Sequence, residues 1–275
     1  MTRLPKLHGQ STSGGILQPR HPPRFTFRAR MQATGSRRTT LPAMPPTRSR
    51  RAPREAQTRR PAAPAVPASL TAVSAPGLDD DGIYTNTLFD GSDLSDQNSA
   101  AIEIDKCRIA NSDLSGTRLS RAMVMDTVAE RSNLSNLQAT NSSLVRVEMT
   151  ACRMTGFSWA NGRLRDVTFR DCRLDFSSFQ SSTATDSLFV DCNLRQADFH
   201  DADLRGATFR TCDLSGAQLS GARMDGTRLI NCTLEGASGV TSMAGAVVAS
   251  SDMVTLAHLF ASALGINVVD EESPD

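Results

Sequence analysis

The chain has 275 residues, with 30 Lys or Arg against 29 Asp or Glu. The near-zero net charge is a cancellation, because residues 1–78 hold 14 basic residues and a single acid, Glu55, while the remainder is net acidic. No uninterrupted apolar run reaches the roughly 18 residues of a membrane-spanning helix, so none is expected.

Residues 1–78 are rich in Pro, Ser, Thr and Ala, and Phe25 and Phe27 are their only aromatic residues. Such a stretch buries too little apolar surface to offset its chain entropy and reads as a disordered basic tail. It lacks the apolar core of a secretory signal. An Arg-rich, acid-poor leader also fits an organelle transit peptide, and equally an untranslated upstream stretch with Met31 or Met44 as a later start. A tail of this charge could bind nucleic acid or an anionic membrane surface, although its scarcity of aromatics suits stacking on single strands poorly.

Residues 79–239 follow a five-residue period, which belongs to neither helix nor strand. From Phe89 to Leu234 the step gives thirty positions without an insertion. Twenty-six of them are Leu, Ile, Val, Met, Phe or Trp; the exceptions are Ser99, Ala129, Ala139 and Ala184. Two residues before each lies a small residue (Ala, Cys, Ser, Thr, Val or Gly), except at Gln97, Ile102, Leu137 and Phe157. On an extended backbone, side chains two apart point the same way, so the large and the small residue both face inward. The remaining residues, often including Gly, must turn a corner. Four such sides make a square coil of twenty residues around a narrow bore.

Three residue types fit the same coil length independently. Cys152, Cys172, Cys192, Cys212 and Cys232 stack in one column, one per coil, beside a column that includes Leu174, Leu194 and Leu214. Phe169, Phe189 and Phe209 form a third column, and Trp159, Phe179 and Phe199 a fourth on the opposite wall. The pattern resembles the pentapeptide-repeat family, whose motif A-[D/N]-L-x-x is matched by Ala202-Asp203-Leu204, Cys212-Asp213-Leu214 and Cys192-Asn193-Leu194. Ser92-Asp93-Leu94 and Ser112-Asp113-Leu114 match it as well, and the resemblance extends from near Thr87 to Gly236. It implies an all-β solenoid, a right-handed quadrilateral β-helix about 36 Å long at ~4.8 Å per coil. The irregular residues between 97 and 159 predict a distorted coil or a local bulge.

Residues 240–275 read as a helical cap followed by an acidic tail, since a solenoid needs its ends covered. Ser250 or Ser251 suits an N-cap, Asp252 the positive helix end, and Gly265 the stop. Met253, Leu256, Leu259, Phe260 and Leu264 recur at helical spacing. A helix this apolar either covers the last coil or pairs with a second copy. The resemblance implies the second as well, because gyrase-binding members of the family dimerise through a C-terminal helical segment.

No catalytic, cofactor or metal site is readable. The six cysteines lack CxxC spacing, and all, Cys107 included, lie in the small inward position. Stacked neighbours near 4.8 Å exceed the roughly 3.5–4.5 Å Cβ separation of a disulfide. They read as buried free thiols in a reducing, cytoplasmic compartment, with a ladder of soft metal ligands as the alternative. His200, at an outward corner among Asp198, Asp201 and Asp203, reads as a solvated side chain. With no P-loop, GxGxxG, GxSxG or HExxH pattern, the chain is not expected to be an enzyme.

A rod without chemistry acts by binding. The family resemblance implies one partner, DNA gyrase, engaged by mimicry of a DNA duplex. Two acidic corner rows, Asp166 with Asp186 and Asp171 with Asp191, fit that reading. Against it, Arg165, Arg170, Arg195, Arg205 and Arg210 interleave with the acids, and residues 84–239 carry 20 acids and 16 bases. Mixed charge of this kind suits a solvated, salt-bridged face. The preferred reading is a protein-interaction scaffold whose partner, not identifiable from sequence, docks on outward apolar residues. Met123, Met125 and Val145 lead this set, followed by Phe176, Leu188 and Val190.

Overall fold

The computed structural model describes residues 59–72 and 77–268, all within one compact unit, Pro53–Asp275. The tail reading for residues 1–58 and the acidic stretch 269–275 lie outside the described residues.

The backbone device that builds the coil is one left-handed residue in five. Every fifth residue from Asp81 to Gly236 has a positive φ, between 45° and 79°. From Asn86 on, each lies two residues after the inward position that is usually large, and turns the chain onto the next side. Glycine takes this conformation freely, and among other residues Asn and Asp tolerate it best. Fourteen of the 24 non-glycine occupants are Asn or Asp, so 7 of the 20 acids in residues 84–239 stand at corners. Four corners close a coil, giving eight full coils and, with the partial turn at the C-terminal end, about nine turns.

The Asp or Asn of the repeat motif has a second, separate use. The residue before the large position accepts a hydrogen bond from the N–H two residues on: Ser115 to Asp113 at 2.8 Å, Ser215 to Asp213 at 2.9 Å, Ser95 to Asp93 at 3.1 Å. This local turn pins the approach to each corner.

From Ile83 to Ile230 parallel pairing keeps a register of twenty residues, as in Phe169 with Phe189, Phe189 with Phe209, and Phe209 with Leu229. One face is a continuous sheet running from Thr87–Asp90 to Val247–Val248. Three long strands, Met123–Glu130, Ser143–Thr150 and Arg163–Arg170, pass around a corner and join that face to its neighbour.

The bore is filled by the expected columns. Phe169 and Phe189 stack at 4.8 Å, Phe189 and Phe209 at 4.7 Å, and Phe179 and Phe199 at 5.3 Å. Across the bore the two ladders meet edge to face: Phe169–Phe179 at 6.2 Å, Phe179–Phe189 at 5.9 Å and Phe199–Phe209 at 5.7 Å. Each such pair contributes about 0.5–1.5 kcal/mol beyond simple burial.

The distortion expected between residues 97 and 159 does not occur. Asn98–Ala100, Arg118–Ser120, Gln138–Thr140 and Ser158–Ala160 pair in unbroken register. Volume is conserved locally instead. Leu137 and Ala139 exchange the large and small roles and both remain buried. The Ser99 hydroxyl donates to the Leu78 carbonyl. Trp159 fits because the next small position is Gly162, where a Cβ would run into the indole, and its ring N–H donates to the Ser142 carbonyl at 3.2 Å. The residual mismatch is an internal void of about 40 Å³ lined by residues including Ile109, Val124, Ala129, Leu137 and Trp159.

At the C-terminal end the chain leaves the coil at Gly239 (φ 71°), where any Cβ would collide with the Leu219–Ser220 backbone. A 3-10 turn, Val240–Met243, and the short strand Val247–Val248 lead through a second 3-10 turn into helix α1, Met253–Ala263. Ser250 and Ser251 do not cap this helix, because they lie in the 3-10 turn before it. The Asp252 carboxylate instead accepts the Asn231 N–H at 2.9 Å and ties the helix to the last coil. Gly265 (φ 69°) ends it, with Ile266 N–H bonded to Ala261 and Gly265 N–H to Ser262.

Residues 59–72 correct the reading of a tail disordered up to residue 78. Ala62 N–H donates to Asp166 Oδ1 at 2.9 Å and Ala65 N–H to Asp126 Oδ1 at 3.1 Å. Thr71–Ala72 then adds a parallel strand beside Thr87–Leu88. The segment is held by backbone donors on side-chain carboxylates, which compositional reasoning about apolar burial does not detect.

Phe176 occupies a left-handed corner (φ 58°) while its side chain is 61% exposed, so its strain is not repaid by burial. Phe176→Asn should stabilise the protein by about 1 kcal/mol, a rise of roughly 2–4 °C in a thermal melt; an unchanged or lower Tm would contradict this account of the corners.

Candidate interaction surfaces

The corner row read as Asp166 with Asp186 is not a free acidic stripe. Along it stand Lys106, Asp126, Arg146, Asp166 and Asp186, alternating in charge over the first four coils. Asp126 and Asp166 are 5% and 3% exposed. Arg146 grips Asp126 with two bonds of 2.7 and 2.6 Å, and this pair, reinforced by the Ala65 N–H, holds the Asp126 carboxyl below the usual carboxylate range. Arg59 lies 3.6 Å from Asp166 and 3.5 Å from Asp186. The correction for Asp166 is therefore that it faces the 59–72 segment rather than solvent. Asp171 and Asp191 are exposed corners and make no ion pair among the described residues.

The outward apolar residues do not form one broad patch. Met123 is 40% exposed, and Met125 and Val145, register neighbours, are half-buried. Leu188 is half-buried and Val190 is buried, contrary to its reading as an outward site. Phe176 borders a shallow groove of about 530 Å³ together with Arg153, Arg173 and Arg195. That groove places basic charge on a rod which, as a duplex mimic, would present acids.

The C-terminal end is the most apolar exposed region. Helix α1 buries Leu256 and Leu259 against the last turn but leaves Met253, Val254, Phe260 and Leu264 exposed, the last at 72%. A cleft of about 900 Å³ runs between α1 and the last coil, lined by residues including Thr233, Glu235, Val240, His258 and Leu259.

The cysteine column is buried and unpaired, as are the remaining described thiols. Each sulfur lies against a carbonyl two residues back, Cys172 against Arg170 at 3.3 Å and Cys192 against Val190 at 3.3 Å. Hydrogen bonding to neighbouring sulfurs and burial push Cys152, Cys192 and Cys232 up. Cys172 and Cys212 accept from both neighbours, which favours their thiolates. With only apolar and neutral side chains lining the bore, desolvation outweighs this and the column remains neutral. Among the described residues no group of His, Cys, Asp and Glu is arranged to hold a metal ion. His200 is exposed beside Asp201 at 3.2 Å.

Residues 142–219 and 163–238 match the family model described as the pentapeptide repeat region. Residues 142–238 thus carry pentapeptide repeats, and the solenoid is a fold of the pentapeptide-repeat kind. Pentapeptide-repeat proteins are generally structural or binding proteins without catalytic activity. Solved structures similar to this pentapeptide-repeat protein include QnrB1, a plasmid-mediated fluoroquinolone resistance protein, at 20% identity over 71% of this chain and 100% of that one, with a TM-score of 0.32. HetL, involved in heterocyst differentiation regulation in the cyanobacterium Nostoc sp. strain PCC 7120, is 16% identical over 61% of this chain and 87% of that one, with a TM-score of 0.27. Rfr23, from the cyanobacterium Cyanothece 51142, is 12% identical over 62% and 90%, with a TM-score of 0.14. No curated protein matches the sequence. Among the described residues, no helix is long and apolar enough to cross a membrane.

The neutral, buried column makes a chemical prediction. In the native protein an aromatic disulfide reagent should label essentially none of the six thiols, and all six should react once denaturant unfolds the coil. Rapid labelling of the native protein would refute a sealed bore.

Proposed function

We propose that this pentapeptide-repeat protein is a non-enzymatic interaction scaffold that works as a pair of rods joined through their C-terminal ends. The observation that carries this reading is helix α1. It spends Leu256 and Leu259 on covering the last turn and still presents Met253, Val254, Phe260 and Leu264 outside. Apolar side chains concentrated on one short helix favour a second apolar surface, and an identical copy supplies one by two-fold symmetry. A reducing, cytoplasmic location accords with six free thiols. Light scattering coupled to size exclusion should give a dimer mass for the full chain at micromolar concentration and a monomer mass for Phe260→Glu/Leu264→Glu. A monomeric wild-type protein would overturn the pairing.

The alternative is binding to DNA gyrase as a duplex mimic, suggested by the family and by the fluoroquinolone resistance named for QnrB1. It is less well supported here. Many of the acids serve corners and local turns, Asp126 and Asp166 are buried, and Arg153, Arg173 and Arg195 line an exposed groove. Micromolar protein should therefore leave gyrase supercoiling unchanged, with and without a quinolone; inhibition or protection would reinstate this reading.

A further inference from the structure

The segment that lies along the rod carries proline at every third position, Pro61, Pro64 and Pro67, each followed by alanine and preceded by the pair Arg59-Arg60. Proline at this spacing favours polyproline II, which has three residues per turn and rises about 3.1 Å per residue, so three residues advance about 9.3 Å. Two coils of the rod advance about 9.6 Å. The two periods coincide, and the contacts follow them. Ala62 and Ala65, three residues apart, donate to Asp166 and Asp126, two coils apart. The three-residue step ends there: Thr71, six residues beyond Ala65, donates to the carbonyl of Asn86, the corner two coils beyond Asp126, as the segment turns into the first coil.

The charges of the row have the same two-coil period. Carboxylates stand at Asp126 and Asp166, and the cations Lys106 and Arg146 alternate with them. Arg146 fixes Asp126 so that Oδ1 accepts both its Nε and the Ala65 N–H. At the far end Arg59 sits between Asp166 and Asp186. Pro61, Pro64 and Pro67 are half-buried, while Ala63, Ala65 and Ala68 are exposed. The ligand is thus read by backbone N–H groups and proline rings, with few demands on the intervening side chains.

We propose that the Asp126–Arg146–Asp166–Asp186 row is a binding track for an extended Arg-Arg-Pro-x-x-Pro-x-x-Pro peptide in polyproline II, occupied in cis by this chain's own residues 59–67. A peptide of the same chemistry, from another protein or another copy, gains the track by displacing the strap. This lateral site does not depend on whether the C-terminal ends pair.

The test uses the full chain carrying Ala62→Pro/Ala65→Pro. Proline keeps, and strengthens, polyproline II geometry while removing the two N–H donors, so only the bonds to Asp166 and Asp126 are lost. A fluorescein-labelled peptide with the sequence of residues 59–72 should bind this variant about ten-fold or more tightly than wild type, by anisotropy, because the cis competitor has lost its charge-assisted bonds. Adding Asp126→Asn/Asp166→Asn to that variant should abolish the binding, and Asn still suits both left-handed corners. A second labelled peptide carrying the same two prolines should fail on every protein, which tests the bonds from the ligand side without altering the rod. Equal binding to wild type and variant, no binding to either, binding by the proline-substituted peptide, or binding indifferent to the Asn substitutions of a folded protein would each overturn the proposal.

Discussion

The constraint on which the rest depends is that the chain must turn a left-handed corner every five residues around a bore only one large side chain wide. A left-handed residue with a Cβ is disfavoured by about 1–2 kcal/mol, so the corners draw on Gly, Asn and Asp. Composition on the surface therefore follows from backbone geometry. The acids at Asp96, Asp171, Asp191 and Asp201 stand where the turn asks for them. A surface rich in acids for this reason is a scaffold on which recognition must be built by additional arrangement, as at Asp126 and Asp166.

The bore imposes the complementary condition. Each side has room for one large and one small residue, and the volume is balanced within a side or a coil rather than at each position. Leu137 with Ala139, or Trp159 with Gly162, therefore leave the pairing register untouched. Stacking identical residues at the coil spacing makes the phenylalanine ladders mutually supporting, each ring lying flat on its own column and edge-on to the opposite one. The cysteines occupy the small position because a thiol is compact and tolerates burial beside carbonyls.

The rod has distinct chemistry at its C-terminal end and along its side. The C-terminal end is apolar and helical; the side is polar, periodic and already filled by an extended segment. The side site has a measuring property that the end lacks. A regular solenoid repeats its surface groups at a fixed step, so any extended ligand whose own step is commensurate can be held at several points at once. Polyproline II meets that condition at three residues to two coils.

The amino-acid sequence alone determined the coil. A twenty-residue period set by the cysteine, leucine and phenylalanine columns left one architecture, and the inward and outward assignments followed from the two-residue alternation of an extended chain. The helix at Met253–Ala263 and its stop at Gly265 were legible for the same reason, since their signals are local. Only the tertiary structure decided what lies across coils. It buried Asp126 and Asp166, took Asp252 for Asn231, and laid residues 59–72 along the rod. Those outcomes rest on groups 20 to 104 residues apart whose pairing leaves no local pattern. The one trace in the sequence, proline at every third residue from Pro61 to Pro67, acquires meaning only when its rise is set against the spacing of the coils.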